Sequence, residues 1–243
     1  MEDKREAMGE AALYPSYMDL DPWIDAARLR ALDGFMTERL MRRIDAPRDL
    51  AFYTGPFLLT PDAPALPGSR LVSLTAGGND DYYTLDRPDL WTPTAEADEF
   101  APLMDFLATL PFAATGRIIV MYDWGGRPVP AHRDHESKEL CHEFIWLRTN
   151  FSKPFYMLDP ETGEKRYVRS HSAWFDTVNQ YHGADAADGL SFSIRVDGRF
   201  TDGFRRQIPT SAENPASAPA LWAAQNPPHR EMGRGTTRRV VEG

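Results

Sequence analysis

A series of short segments with the composition of β-strands fills the second half of the chain, and this series most constrains the fold. From Gly116 onward, segments rich in β-branched and aromatic residues alternate with turns that carry glycine, proline and aspartate. We predict strands at residues 117–123, 139–149, 153–158, 165–169, 173–177 and 190–196. Several short strands at this spacing favour a sandwich or a jelly roll.

In the first half, apolar residues recur mostly at steps of three and four, which is typical of amphipathic helices. One or two helices are predicted over residues 22–44, with Asp21 as the N-cap and Pro22 at the first helical position. The remaining predictions are a helix at 97–110, strands at 52–60 and 69–74, and a polar, irregular segment at 1–20.

These patterns predict a mainly β protein with N-terminal α-helices packed on one sheet. We expect a single domain over residues 1–210, with a helical or mixed part at 1–113 and a jelly-roll core at 114–200. Residues 211–243 are rich in proline, alanine, asparagine and arginine, and this composition predicts an irregular tail.

Composition limits the classes of partner. The chain has 243 residues and a net charge of −9, which argues against general binding to nucleic acid or to anionic membranes. The single cysteine, Cys141, excludes an intrachain disulfide and fits a reducing compartment. No apolar stretch is long enough to span a bilayer, and residues 1–10 lack the apolar core of a secretion signal. We therefore expect a cytoplasmic protein.

The strongest chemical signal is the pair His132 and Asp134, followed by His182. Two imidazoles and one carboxylate form the ligand set that holds Fe(II) on one face and leaves the opposite positions open. On a strand, residues i and i+2 point to the same side, so His132 and Asp134 can bind one ion. A distant strand of a rolled sheet would supply His182.

Arg195 lies on a predicted strand in which apolar and polar residues alternate. Ser193 and Arg195 share the polar face, which is the inner face of the predicted roll. An arginine buried there is costly unless it meets an anion, and its planar fork matches a carboxylate. The pattern therefore predicts binding of a dicarboxylate such as 2-oxoglutarate, with Ser193 as a second contact.

A family resemblance supports this interpretation. The segments that carry it are Pro130-Ala131-His132-Arg133-Asp134, residues 142–150, Ser172-Ala173-Trp174-Phe175-Asp176, and His182 with residues 194–198. They resemble the Fe(II)/2-oxoglutarate-dependent oxygenases, in particular the aspartyl/asparaginyl β-hydroxylase and bacterial proline hydroxylase group. The resemblance covers about residues 114–200. In that group the cosubstrate arginine usually stands near the position of Ser191, so Arg148 is a second candidate, and Trp146 shares its strand face.

The resemblance implies a double-stranded β-helix (a cupin-like jelly roll) that binds Fe(II), 2-oxoglutarate and dioxygen. It implies that His132, Asp134 and His182 hold the iron. It also implies hydroxylation of an amino acid, free or within a peptide or carrier-bound intermediate. The presence of Asp134 favours hydroxylation over halogenation, because a halogenase needs that ligand position for chloride. The substrate and the oligomeric state are left open.

Two other functions fit the same residues. A cupin-type metal-dependent dioxygenase or isomerase would not use 2-oxoglutarate. A non-catalytic β-roll binding module would simply bury His132 and His182. Near the second histidine, Asp176 and Asn179 could support the metal ligands, whereas Trp174 is predicted to be a core residue.

Overall fold

Two antiparallel β-sheets form the main part of the structure, a computed structural model. It describes residues 17–44, 50–51, 68–77, 88–132, 143–159, 162–175, 177 and 180–208. Within these ranges the chain is mainly β, as predicted. The predictions for residues 52–60 and for the tail at 211–243 lie outside the described residues.

The larger sheet has seven strands among the residues that the structure describes. In spatial order they are β1 (Tyr17–Asp19), β11 (Ser172–Phe175), β8 (Phe144–Leu147), β13 (Ser191–Phe200), β6 (Phe112–Asp123), β3 (Ser69–Ser73) and β2 (Leu50–Ala51). All of the pairings within this sheet are antiparallel. The longest pairing joins β13 to β6 at the centre of the sheet.

In the described part of the chain, the smaller sheet has four antiparallel strands. Their spatial order is β10 (Lys165–Tyr167), β9 (Phe155–Leu158), β12 (His182–Ala184) and β7 (Val129–His132). Between β6 and β13 the chain moves repeatedly from one sheet to the other, so strands distant in sequence become neighbours in space. A separate hairpin joins β4 (Thr75–Gly77) to β5 (Trp91–Pro93).

Five short α-helices accompany the sheets within the described ranges. They are α1 (Ala26–Ala31), α2 (Asp33–Arg43), α3 (Ala95–Glu99), α4 (Ala101–Leu107) and α5 (Asp202–Arg205). Met36 and Phe106 belong to one apolar cluster with Val120 and Ile194 of the larger sheet, and all four are fully buried. This burial, rather than helix propensity, accounts for most of the stability of such short helices. None of the described helices has the length and apolar character that crossing a membrane requires.

The N-terminal region departs from the prediction in two places. Tyr17–Asp19 forms a strand on β11, although residues 1–20 were predicted to be irregular. Asp21 is not an N-cap: its carboxylate accepts hydrogen bonds from the backbone N–H groups of His171 and Ser172 at 2.9 and 2.7 Å. Asp25 caps α1 instead, because its Oδ1 accepts from the Arg28 N–H at 2.9 Å.

Candidate active site

Two histidines face each other across neighbouring strands of the four-stranded sheet. His132 ends β7, His182 begins β12, and the two residues are register partners. Their ring centroids are 4.5 Å apart, with an angle of 51° between the ring planes. His182 is buried and His132 is half-buried. The fold therefore brings together the two imidazoles that the sequence singles out.

Each imidazole is held by the carbonyl oxygen two residues before it. Nδ1 of His132 lies 2.8 Å from Pro130 O, and Nδ1 of His182 lies 3.0 Å from Gln180 O. Because a carbonyl oxygen can only accept, Nδ1 of each neutral ring carries the proton and Nε2 carries the lone pair. Metal-binding histidines are usually restrained in this way. The two imidazoles therefore fit a metal ion bound through Nε2.

The backbone around His182 is also tightly constrained. The Gln180 side-chain amide donates to the carbonyl oxygens of Leu158 and Tyr181, at 3.0 and 3.1 Å. Next to His182, a Cβ atom on Gly183 would lie 2.6 Å from both Tyr156 Oη and Val129 O. Only glycine fits there without displacement, so β12 can approach β7 and β9 closely.

Aromatic rings line the space between the two sheets beside His182. Phe175 of the larger sheet and Phe155 of the smaller sheet have ring centroids 5.0 and 6.0 Å from that of His182. Trp146 stacks on Phe155 with a centroid distance of 4.5 Å. These rings exclude water from one side of the histidine pair and strengthen electrostatic interactions there.

Arg195 lies on the inner face of the larger sheet, in register with Trp146 of β8. It is 9% exposed, and its guanidinium carbon lies 4.4 Å from the Phe144 ring centroid. Trp146 stacks on Phe155, which is the register partner of Ala184, two residues after His182. This chain of contacts links Arg195 to the strand that carries His182.

The other predicted cosubstrate contacts have different surroundings. Ser193 is half-buried on β13 opposite Met121, on the same face as Arg195. The Arg148 guanidinium donates to three carbonyl oxygens: Ser170 O at 3.0 Å, Lys153 O at 3.3 Å, and Val168 O. Arg148 therefore connects its own loop, between β8 and β9, to the loop between β10 and β11.

The third predicted metal ligand, Asp134, lies within residues 133–142, outside the described part of the chain, as do Asp176 and Asn179. Among the residues that the structure describes, no three His, Cys, Asp or Glu side chains form a group that could hold a metal ion. The carboxylate ligand remains a prediction of the sequence.

Two further cations near the inner face were not singled out from the sequence. Arg117 Nε donates to Asp197 Oδ2 at 2.9 Å. Lys153 Nζ lies 3.7 Å from Asp123 Oδ2, and burial lowers the pKa of Lys153. Lys153 and Arg117 each begin a predicted strand, but alternation alone does not show which carboxylate each would meet.

Comparisons with known proteins give only distant similarities. No protein-family model and no curated protein matches the sequence. Solved structures with similarity include a prolyl-4-hydroxylase from Pseudomonas putida, with a TM-score of 0.44 and 13% identity over 81% of this chain and 98% of that chain. A Trichoplax adhaerens prolyl hydroxylase, solved with a hypoxia inducible factor peptide, gives a TM-score of 0.44 and 8% identity. The match covers 79% of this chain and 85% of that chain. A 2OG-Fe(II) oxygenase family oxidoreductase from Burkholderia pseudomallei gives a TM-score of 0.34 and 10% identity. The match covers 71% of this chain and 88% of that chain. These values are too low to assign an activity by similarity.

Proposed function

We propose that this protein is an Fe(II)- and 2-oxoglutarate-dependent dioxygenase. The observation that carries the proposal is the His132–His182 pair, restrained through Nδ1 on adjacent strands, with Arg195 on the inner face of the opposing sheet. We further propose that the substrate is an amino acid, free or within a peptide or carrier-bound intermediate, and that the reaction is hydroxylation.

The strand order supports a double-stranded β-helix as the core. Four central strands of the larger sheet run in the order β11-β8-β13-β6, and the smaller sheet runs in the order β10-β9-β12-β7. Apart from the β9–β10 hairpin, successive strands from β6 to β13 alternate between the two sheets. A jelly roll winds its strands between two sheets in this manner.

His132, His182 and Asp134 would hold the iron. Bound Fe(II) would supply the activation of dioxygen and the oxidative decarboxylation of the cosubstrate. The protein supplies the restraint of both imidazoles and the aromatic surroundings of His182. A reducing cytoplasm, predicted from the sequence, would keep the iron ferrous.

Arg195 would bind the distal carboxylate of 2-oxoglutarate. A guanidinium can hold a carboxylate through two parallel N–H donors, and a site screened by aromatic rings strengthens the interaction. Aromatic rings connect Arg195 to the histidine pair: Phe144 lies under its guanidinium and contacts Phe175, which contacts His182. Ser193 would add a hydroxyl on the same face.

Anaerobic metal binding and succinate release test the proposal together. The wild-type protein should bind Fe(II) and release succinate when it is given 2-oxoglutarate with amino acids or short peptides. One product should be heavier by one oxygen atom. Asp134→Ala should weaken Fe(II) binding, and Arg195→Met should raise the 2-oxoglutarate concentration needed for turnover.

Three outcomes would contradict the proposal in different ways. Turnover that does not need 2-oxoglutarate would favour a cupin-type dioxygenase or isomerase. A protein that takes up no Fe(II) would favour a binding module. Undiminished turnover in Arg195→Met, with loss in Arg148→Met, would move the carboxylate anchor to Arg148.

A further inference from the structure

The carboxylate of Asp197 joins two arginines on the inner face of the larger sheet. Its Oδ1 accepts from Arg195 Nε at 2.9 Å, and its Oδ2 accepts from Arg117 Nε at 2.9 Å. Asp197 itself is 2% exposed. We infer that Asp197 is a positioning residue that orients Arg195 toward the distal carboxylate of 2-oxoglutarate, and that it brings Arg117 to the same site as a second guanidinium. The inference rests on the proposed function.

The pairing of β13 with β6 produces this arrangement, next to a register irregularity. Val196 pairs with Ile118, but Gly198 pairs with Thr115, so two residues of β6 lie opposite Asp197. An extra residue on one strand bends that strand and redirects its side chains. Continuing the register from Val196–Ile118 by one residue places Arg117 opposite Asp197 on the same face, and the bulge begins immediately after this pair.

Arg195 is restrained on two sides. Asp197 holds its Nε, and the Phe144 ring lies 4.4 Å from its guanidinium carbon. Phe144 on β8 is the register partner of Asp197 on β13. The two side chains that restrain Arg195 therefore lie side by side on neighbouring strands. A guanidinium has five N–H donors, and the bond to Asp197 uses only the one on Nε. Asp197 therefore orients the group without using the Nη donors that grip a carboxylate.

The location of this cluster distinguishes it from an ordinary structural ion pair. On the opposite face of the same strands, Ile118, Ile194 and Val196 are buried in the apolar core. Burying charges is costly, so a charged cluster in a fold's interior indicates a functional site more strongly than one at the surface. Aromatic contacts link the cluster to the histidine pair: Phe144 lies 5.2 Å from Phe175, which lies 5.0 Å from His182 between ring centroids.

The test uses two ligands that share a 2-oxo acid end. 2-Oxoglutarate has a distal carboxylate, whereas 2-oxopentanoate has a methyl group in its place. Calorimetric titration of the Mn²⁺-loaded protein without oxygen gives both affinities and their ratio. Wild type should strongly prefer 2-oxoglutarate. Asp197→Asn should lower this preference by about tenfold or more, Arg117→Gln should lower it by a smaller factor, and Asp197→Glu should restore part of it.

A matched control makes the same chemical change beside another buried arginine. Glu99 Oε2 accepts from Arg43 Nη1 at 2.7 Å on the helical side of the sheet, and Arg43 is 3% exposed. Glu99→Gln should leave the preference between the two ligands unchanged. A general loss of stability lowers the affinities for both ligands by the same factor. The ratio of the two affinities therefore distinguishes a loss of arginine positioning from a loss of folding.

The outcomes are separable. If Asp197→Asn weakens both ligands by the same factor, or leaves their ratio unchanged, the inference is overturned and the proposed function stands. If wild type shows no preference for the dicarboxylate, the inference and the proposed function are both overturned. Should circular dichroism show that Asp197→Asn is unfolded, Arg117→Gln decides: a lowered ratio supports the inference and an unchanged ratio overturns it.

Discussion

His132 and His182 are register partners on adjacent antiparallel strands, and their ring centroids lie 4.5 Å apart. Replacing either by alanine should weaken binding of Fe(II) or Mn²⁺ by more than the roughly 10- to 100-fold typical of losing an outer hydrogen-bond partner of a metal ligand. Anaerobic titration against a metal-sensitive dye measures the change. His171→Ala is the control, because its Nδ1 also lies near a carbonyl oxygen, Arg148 O, at 3.1 Å. Equal losses in all three variants would contradict a metal site at this pair.

Gly183→Ala should disturb both stability and metal affinity. The new methyl group would lie 2.6 Å from Val129 O and Tyr156 Oη, so β12 must move away from its neighbours. Overpacking of this kind costs about 1–3 kcal/mol, which urea unfolding can measure. Gly34→Ala is the matched control, since a Cβ there meets nothing within 4 Å. A Gly183→Ala protein as stable as Gly34→Ala would show that β12 is loosely packed.

Arg148→Met should be mainly a stability variant. Burial lowers the pKa of Arg148 to about 10, but its guanidinium still donates to three carbonyl oxygens. Removing it leaves those acceptors without this donor, at a cost of about 1–3 kcal/mol for each one that water cannot reach. Urea unfolding should show the loss, while Mn²⁺ affinity measured on the folded protein stays near that of wild type. Unchanged stability with a loss of Mn²⁺ affinity would instead place Arg148 in the candidate active site.

Tyr17 should make stability fall at alkaline pH. Burial, the largest effect, raises the pKa of its phenol above the ordinary 10.0, although the bond to Ser170 Oγ at 2.7 Å opposes this. The unfolded chain therefore loses this proton near pH 10 while the folded protein keeps it. Above that pH the folded state binds more protons, so its stability falls by about 1.4 kcal/mol per pH unit.

Tyr17→Phe removes that dependence. As the pH rises from 8 to 11, the unfolding free energy of Tyr17→Phe should increase by about 1 kcal/mol relative to that of wild type. Urea unfolding at each pH measures this difference. The other tyrosines are common to both proteins, so the difference reports on Tyr17. A constant difference across this range would mean that Tyr17 is solvated in the folded protein.

Local sequence patterns predicted seven of the thirteen described strands, and the strands they missed include β7 and β12, which carry His132 and His182. Alternation of apolar and polar residues placed Arg195 and Asp197 on one face and Ile194 and Val196 on the other, as the contacts of β13 show. The strand at Tyr17–Asp19 was missed because three residues are too few to show alternation. Its stability comes from pairing with β11, which is a tertiary interaction.

The candidate site was predictable only in part. Strand parity predicted that His132 and Asp134 share one side of a strand, and His182 was expected from a distant strand. The pairing of β12 with β7 brings the two histidines together. The Arg117–Asp197 contact depends on the register between β6 and β13, and the role of Gln180 depends on how a loop meets β9. Neither leaves a periodic signal in the sequence, because each is determined by register between distant segments.

The short strand β1 has a consequence for how the protein behaves at high concentration. Without it, β11 would present the unpaired N–H and C=O groups of a sheet edge, which can recruit a second chain. Three residues cover that edge, and the Asp21 carboxylate binds the two backbone N–H groups at the start of β11. Loss of residues 17–19, by proteolysis or truncation, should therefore promote edge-to-edge aggregation even where the histidine pair is intact.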